Sequence, residues 1–152
     1  MHPNVSGPEM EHAYARVFRA LIASGARHHD AEDAIQDAYE AMLRLAASPA
    51  DPAAWLYTVA SRRWRRGRWR SRLFMTLDRH SAVSLPGPTP LAATLVSELG
   101  RLTDRERSII AARYVLGLSQ KETGAALGIA VGTVAAITHR ASTKLRDRLR
   151  DL

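Results

Sequence analysis

The chain has 152 residues, 46% of them hydrophobic and 24% charged, with a net charge of +7 and no cysteine. That apolar content suffices for a packed core and excludes wholesale disorder, while the missing thiols exclude disulfides, cysteine-bound zinc and a thiol nucleophile. No apolar run approaches the roughly 18 residues of a membrane span, and the opening MHPNVSGPEMEH lacks a signal peptide's basic-then-apolar pattern, so no membrane contact and a cytoplasmic location are expected.

In chain order, Tyr14, Val17, Phe18, Leu21 and Ile22 recur at helical spacing and predict a helix from about Glu9 to Ser24, ended by Gly25. A second helix is expected from Asp30, whose carboxylate suits a helix N-terminus. Its apolar row is Ile35, Ala38, Met42 and Leu45, and Pro49 stops it. Asp51 as N-cap and Pro52 at the first helical position predict a third helix carrying Trp55, Leu56, Val59 and Ala60, which Gly67 weakens further on. The segment SAVSLPGPTP, Ser81 to Pro90, cannot sustain a helix and reads as a linker.

Beyond the linker a short helix is expected from Leu91 to Leu99, closed by Gly100. Thr103 with Glu106, and Ser119 with Glu122, have the spacing of capping boxes and open two more helices. The first stops at Gly117 and the second near Leu127, with Gly128 as its C-terminal stop. A last helix runs from about Val131 on Val134, Ile137, Ala141, Leu145 and Leu149. No strand pattern appears, so the fold class is all-α. Two small helical domains joined by a Pro-rich linker are expected, with boundaries at 9–75, 76–90 and 91–152.

The charges segregate. From Asp30 to Glu40 they are all acidic (Asp30, Glu32, Asp33, Asp37, Glu40), and from Arg62 to Arg72 all basic. Two opposite surfaces on one short chain imply two partners: nucleic acid for the basic one, and a basic protein for the acidic one, which DNA would repel. In WRRGRWR, Trp64 to Arg70, arginines can neutralise phosphates while Trp64 and Trp69, each flanked by arginine, are hard to bury and free to stack on unpaired bases. Trp55 reads as core. The capped helix, the Gly128-Ile129-Ala130 turn and the helix after it form a helix-turn-helix held by Leu127, Ile129 and Val134. Its outward residues are Gly132, Thr133, Ala135, Ala136, His139, Arg140 and Lys144. Neither alanine can hydrogen-bond a base edge, so Arg140 and Lys144 carry most of the expected contact, Lys144 with a phosphate. Carboxylates cluster only on the acidic helix, with no glycine loop or histidine pair at metal-ligand spacing. No catalytic residue, metal or cofactor is expected.

Three motifs in this order resemble the extracytoplasmic-function group of bacterial sigma factors: DAEDAIQDAYEAM, Asp30 to Met42; PAAWLYTVASRRWRRGRWR, Pro52 to Arg70; and LTDRERSIIAARYVLGLSQKETGAALGIAVGTV, Leu102 to Val134. The resemblance implies a region 2-like three-helix bundle, a region 4-like helix-turn-helix and a non-enzymatic factor that directs RNA polymerase core to promoters. Asp30, Glu32, Asp33, Gln36, Asp37 and Glu40 would meet the β′ clamp helices. Ser48 and Asp51, in a base-capturing loop, with Trp55, Arg62, Arg63, Trp64, Arg65, Arg66, Arg68 and Trp69, would recognise and melt the minus-ten element. Ser119, Lys121, Val131, Gly132, Thr133, Ala135, Ala136, His139, Arg140 and Lys144 would meet the minus-thirty-five element. The polymerase β flap and an anti-sigma protein are the further partners implied. Ala135, Ala136 and Ile137 depart from the basic and serine residues usual after VGTV. A competing expectation is a sigma-like regulator that binds DNA or an anti-sigma protein without initiating transcription.

Overall fold

Pro8 at the first helical position, with Glu9 and Glu11 in the first turn, starts α1 (Pro8–Ala23). The computed structural model describes residues 7–74 and 89–151. Ser24 caps α1, and Gly25 then takes a φ of 104° that lets the Ala26 N–H reach the Leu21 carbonyl at 3.0 Å. This is a Schellman stop, which favours glycine. Gly25 is needed twice over, because a Cβ there would lie 3.0 Å from Arg107 Nη1.

The second helix, α2 (His28–Leu43), begins two residues before the expected Asp30. Arg27 is its N-cap without a side-chain bond, and Asp30 sits within the first turn, where its charge still faces the positive end of the helix dipole. Asp51 starts α3 (Pro52–Phe74) as the sequence suggests, accepting the Ala54 N–H at 3.0 Å. Gly67 does not interrupt α3, whose 23 residues run through the arginine stretch.

The greater part of the expected linker lies outside the described residues, which resume ahead of α4 (Pro90–Gly100). Thr103 and Glu106 close a complete capping box on α5 (Asp104–Ile110). The chain then widens into a π-helical turn, Ala111–Val115, and the Leu116 N–H bonds the Ala111 carbonyl at 3.3 Å. Nothing in the sequence pattern marked this turn. A second complete capping box, Ser119 with Glu122, opens α6 (Gln120–Leu127), and Gly128 ends it at φ 67°. The last helix is α7 (Val131–Arg150), and the chain bends by 106° between α6 and α7. No strand occurs among the described residues.

Helices α1, α2 and α3 form a three-helix bundle on Val17, Leu21, Ile35, Met42, Leu56 and Tyr57, all buried to 2% exposure or less. The same apolar cluster continues without a break through Ile109, Ala112, Leu116, Leu127, Val134 and Ile137 of the C-terminal half. The two halves, read from sequence as separate modules, are packed on one another through a shared core.

Candidate nucleic-acid interface

The 3.6-residue period of α2 buries Ala31, Ala34, Ile35, Ala38 and Met42 and leaves Glu32, Asp33, Gln36, Asp37 and Glu40 exposed, with Asp30 half-buried. Gln36 Nε2 donates to Glu40 at 3.4 Å, His28 lies 3.5 Å from Glu32, and His29 lies 3.2 Å from Asp30. Asp33 has no partner among the described residues. The acidic face expected for a protein partner is therefore a real, solvent-facing row. It ends beside the basic helix, where Arg63 Nη1 approaches Asp37 at 3.4 Å.

On α3 the arginines divide. Arg63 and Arg66 are exposed, as expected of a nucleic-acid surface. Arg62, also exposed, donates to the Ala125 carbonyl at 3.2 Å. Arg65 forks between the Leu127 and Ala126 carbonyls at 3.2 and 3.3 Å, and burial lowers its pKa. Arg68 pairs with Asp104 at 2.7 Å and stands over the Trp64 ring at 5.4 Å. Trp64, expected to resist burial, is only 8% exposed. The correction has a simple cause: the C-terminal half covers this face of α3, so flanking arginines turn to backbone carbonyls and a carboxylate while the ring enters the core. Trp55 is partly buried against the same core. The Trp69 side chain lies outside the described residues. Ser48 and Asp51 are exposed on the loop between α2 and α3, with Asp51 engaged in capping α3.

The helix-turn-helix forms as its caps require. Leu127 and Val134 are buried and Ile129 half-buried at the corner. Ser119, Lys121, Val131, Gly132, Thr133, Ala136, His139 and Arg140 are exposed, and Ala135 is half-buried. Arg140 has no partner among the described residues. Lys144, expected on a phosphate, instead lies 2.7 Å from Glu106. That hydrogen bond, first among several causes, holds the Glu106 carboxyl below the usual carboxylate range. The Ser119 backbone and hydroxyl do the same for Glu122.

Three features escaped the sequence reading. Gly124 lies inside α6, and a Cβ on it would meet the Ile129 carbonyl oxygen at 2.6 Å, so the tight corner demands glycine. Its signal is a glycine four residues before Gly128 in a helix too short to waste one. Tyr57 is fully buried where the halves meet, its hydroxyl 3.4 Å from the Ser108 carbonyl and its pKa pushed up to about 12 by desolvation. An apolar groove of about 530 Å³ also opens between α4, the π-helical turn and α7, lined by Leu99, Ile110, Tyr114, Val115, Leu145 and Leu149 among others. Tyr114 is 66% exposed there.

Residues 10–73 match Sigma-70 region 2, and residues 99–147 match Sigma-70, region 4. The chain is 29% identical over 147 residues to the ECF RNA polymerase sigma factor SigE of Mycolicibacterium smegmatis, covering 88% of this chain and 57% of that protein. It is 40% identical over 62 residues to the ECF RNA polymerase sigma factor SigW of Bacillus subtilis, covering 41% of this chain and 33% of that one. The chain thus spans little more than half, or less, of these relatives' lengths. Among solved structures, the sigma factor RpoE in complex with the anti-sigma factor NepR, from Bartonella quintana, shares the fold at a TM-score of 0.71, with 22% identity over 93% of this chain and 94% of that one. CnrH in complex with the cytosolic domain of CnrY gives a TM-score of 0.62 and 26% identity over 93% and 85% of the two chains.

Proposed function

The chain belongs to the extracytoplasmic-function group of sigma-70 factors, with regions 2 and 4 in order, and from that premise we propose that it binds RNA polymerase core and directs promoter-specific initiation. The observation that carries this reading is the adjacency, on one three-helix bundle, of a solvent-facing acidic row and an arginine-rich helix. One surface suits a basic protein helix and the other a polyanion, and a factor that brings polymerase to DNA needs both.

In this reading Asp33, Gln36, Asp37 and Glu40 meet the β′ clamp helices, with Asp30 and Glu32 at the edge of that contact. The arginines of α3 take promoter phosphates, and the exposed loop around Ser48 receives a base of the minus-ten element. Helix α7 lies along the minus-thirty-five element with Arg140 as its one unpaired cation on the outward face. The groove beside Tyr114 suits an apolar helix tip such as that of the β flap. The catalytic metal ions and the bond-making belong to polymerase, and the chain acts in the cytoplasm, where polymerase and DNA are. An anti-sigma protein is a further proposed partner, by analogy with the complexes of RpoE with NepR and of CnrH with CnrY.

Run-off transcription with purified core polymerase tests the proposal. Discrete transcripts from a subset of genomic promoters are expected. Binding to core with no transcript from any template would instead favour a regulator that occupies polymerase or an anti-sigma protein without initiating.

A further inference from the structure

Helix α6 has only eight residues, so the carbonyls of its last turn dominate its chemistry. The last four carbonyls of any α-helix lack partners within the helix and carry the negative end of its dipole. In α6 these belong to Gly124, Ala125, Ala126 and Leu127. The Gly124 carbonyl accepts from the Gly128 and Ile129 N–H groups at the turn. The other three are taken by the opposite half of the molecule: Ala125 by Arg62, and Ala126 and Leu127 by the two arms of Arg65. Arg68 adds its pair with Asp104, Tyr57 reaches the Ser108 carbonyl, and Arg16 of α1 donates to the Leu116 carbonyl. Trp64 is enclosed at the same junction.

We propose that this clasp is an intramolecular lock, in which the carbonyl end of α6 and the Asp104 carboxylate occupy the arginines of α3 in place of DNA phosphates. The inference rests on the reading of α3 as a DNA surface and concerns its regulation. A guanidinium fork that spans two carbonyl oxygens uses the donors it would offer to two phosphate oxygens. The two uses of Arg62, Arg65 and Arg68 exclude one another. A free chain in the closed form is therefore a poor DNA binder despite its charge, and binding to core polymerase, which must separate the halves to place both on DNA, releases the arginines. If the open form is about a tenth of the free population, the apparent affinity for DNA falls about tenfold below the intrinsic one.

The chain has no cysteine, so a bridge can be placed cleanly. Gly67 and Arg105 are both exposed, and each neighbours one member of the Arg68–Asp104 pair. Full-length chain carrying Gly67→Cys and Arg105→Cys is bridged with a reducible bis-maleimide, and the same double variant capped with N-ethylmaleimide is the control. Binding of a fluorescein-labelled single-stranded DNA is followed by anisotropy. The bridged chain should form readily in the absence of polymerase, bind about tenfold more weakly than the capped chain, and recover when the bridge is reduced. Tyr57→Phe, which loosens the junction without changing charge, should bind more tightly than the unaltered chain.

Failure of the bridge to form, or equal DNA affinity of bridged and capped chains, overturns the lock. If neither the capped chain nor Tyr57→Phe binds DNA, while Arg62→Ala and Arg66→Ala leave run-off transcription intact, the reading of α3 as a DNA surface falls, and the lock with it.

Discussion

The Arg63 guanidinium lies 3.4 Å from the Asp37 carboxylate, so the acidic row of α2 and the basic face of α3 meet at a single partly exposed ion pair. Such a pair contributes only about 0–1 kcal/mol. Its interest is positional, because Asp37 is shared between the two surfaces while Asp33 belongs to one.

Charge reversal separates those roles. Asp33→Lys should weaken binding to core polymerase about tenfold, roughly 1.4 kcal/mol, with most of the loss in the association rate and most of it at low salt. Helical content should not change, since Asp33 is exposed and unpaired. Asp37→Lys should do the same and also disturb α3 through Arg63. An unchanged affinity for both variants in a titration with core would remove the acidic row from the polymerase contact.

Trp64→Ala should act first on stability. A buried tryptophan replaced by alanine costs about 3–5 kcal/mol, and urea unfolding of the full chain should show it. If the ring served only to stack on unpaired bases, stability would be untouched and a premelted template would rescue transcription. The structure favours a variant that fails on closed and premelted templates alike.

The glycines offer a paired test. At Gly124 a Cβ would press into the Ile129 carbonyl, so Gly124→Ala should destabilise the corner by about 1–3 kcal/mol. At Gly67 a Cβ meets nothing within 4 Å in an exposed helix, so Gly67→Ala should stabilise by about 1 kcal/mol. Thermal melts with the same sign for both substitutions would contradict the packing described.

Acid should loosen the C-terminal half through Glu106. Its folded pKa lies below the unfolded value near 4.5, mainly through Lys144. The stability this supplies is therefore complete above that value and lost as pH falls through the folded one. Glu106→Gln should flatten the acid limb of a stability profile, and a profile identical to the parent's would exclude the pair as a contributor.

On α7, Arg140→Ala should impair use of the minus-thirty-five element more than any substitution at Ala135, which is half-buried and has no polar atom to offer. Lys144→Ala should show as lost stability, because its ammonium is engaged by Glu106. Transcription from templates with a scrambled upstream element, compared across these variants, checks the ranking.

Much of the fold was legible because its signals are local. Thr103 with Glu106, Ser119 with Glu122, Asp51 with Pro52 and the stop at Gly128 each act within one turn, and each is where the sequence put it. The start of α2 was misplaced by two residues because Arg27 caps without a side-chain bond, leaving no chemical mark. The fates of Trp64, Arg65 and Lys144 were not legible at all. Each depends on a partner 38 or more residues away, and an arginine reads alike in sequence whether it awaits a phosphate or holds a carbonyl. The π-helical turn is a similar case, since its widened hydrogen bonds follow from packing and not from residue type.

The core shared by the two halves gives the lock a thermal character. Parting the halves wets apolar surface around Tyr57, Trp64, Leu116 and Leu127 as well as freeing three carbonyls. Wetting apolar surface raises the heat capacity, so the closed form draws strength from warmth and loses it in the cold. A molecule held shut in this way responds to temperature before any other protein touches it: chilling alone tips it toward the form that can hold DNA.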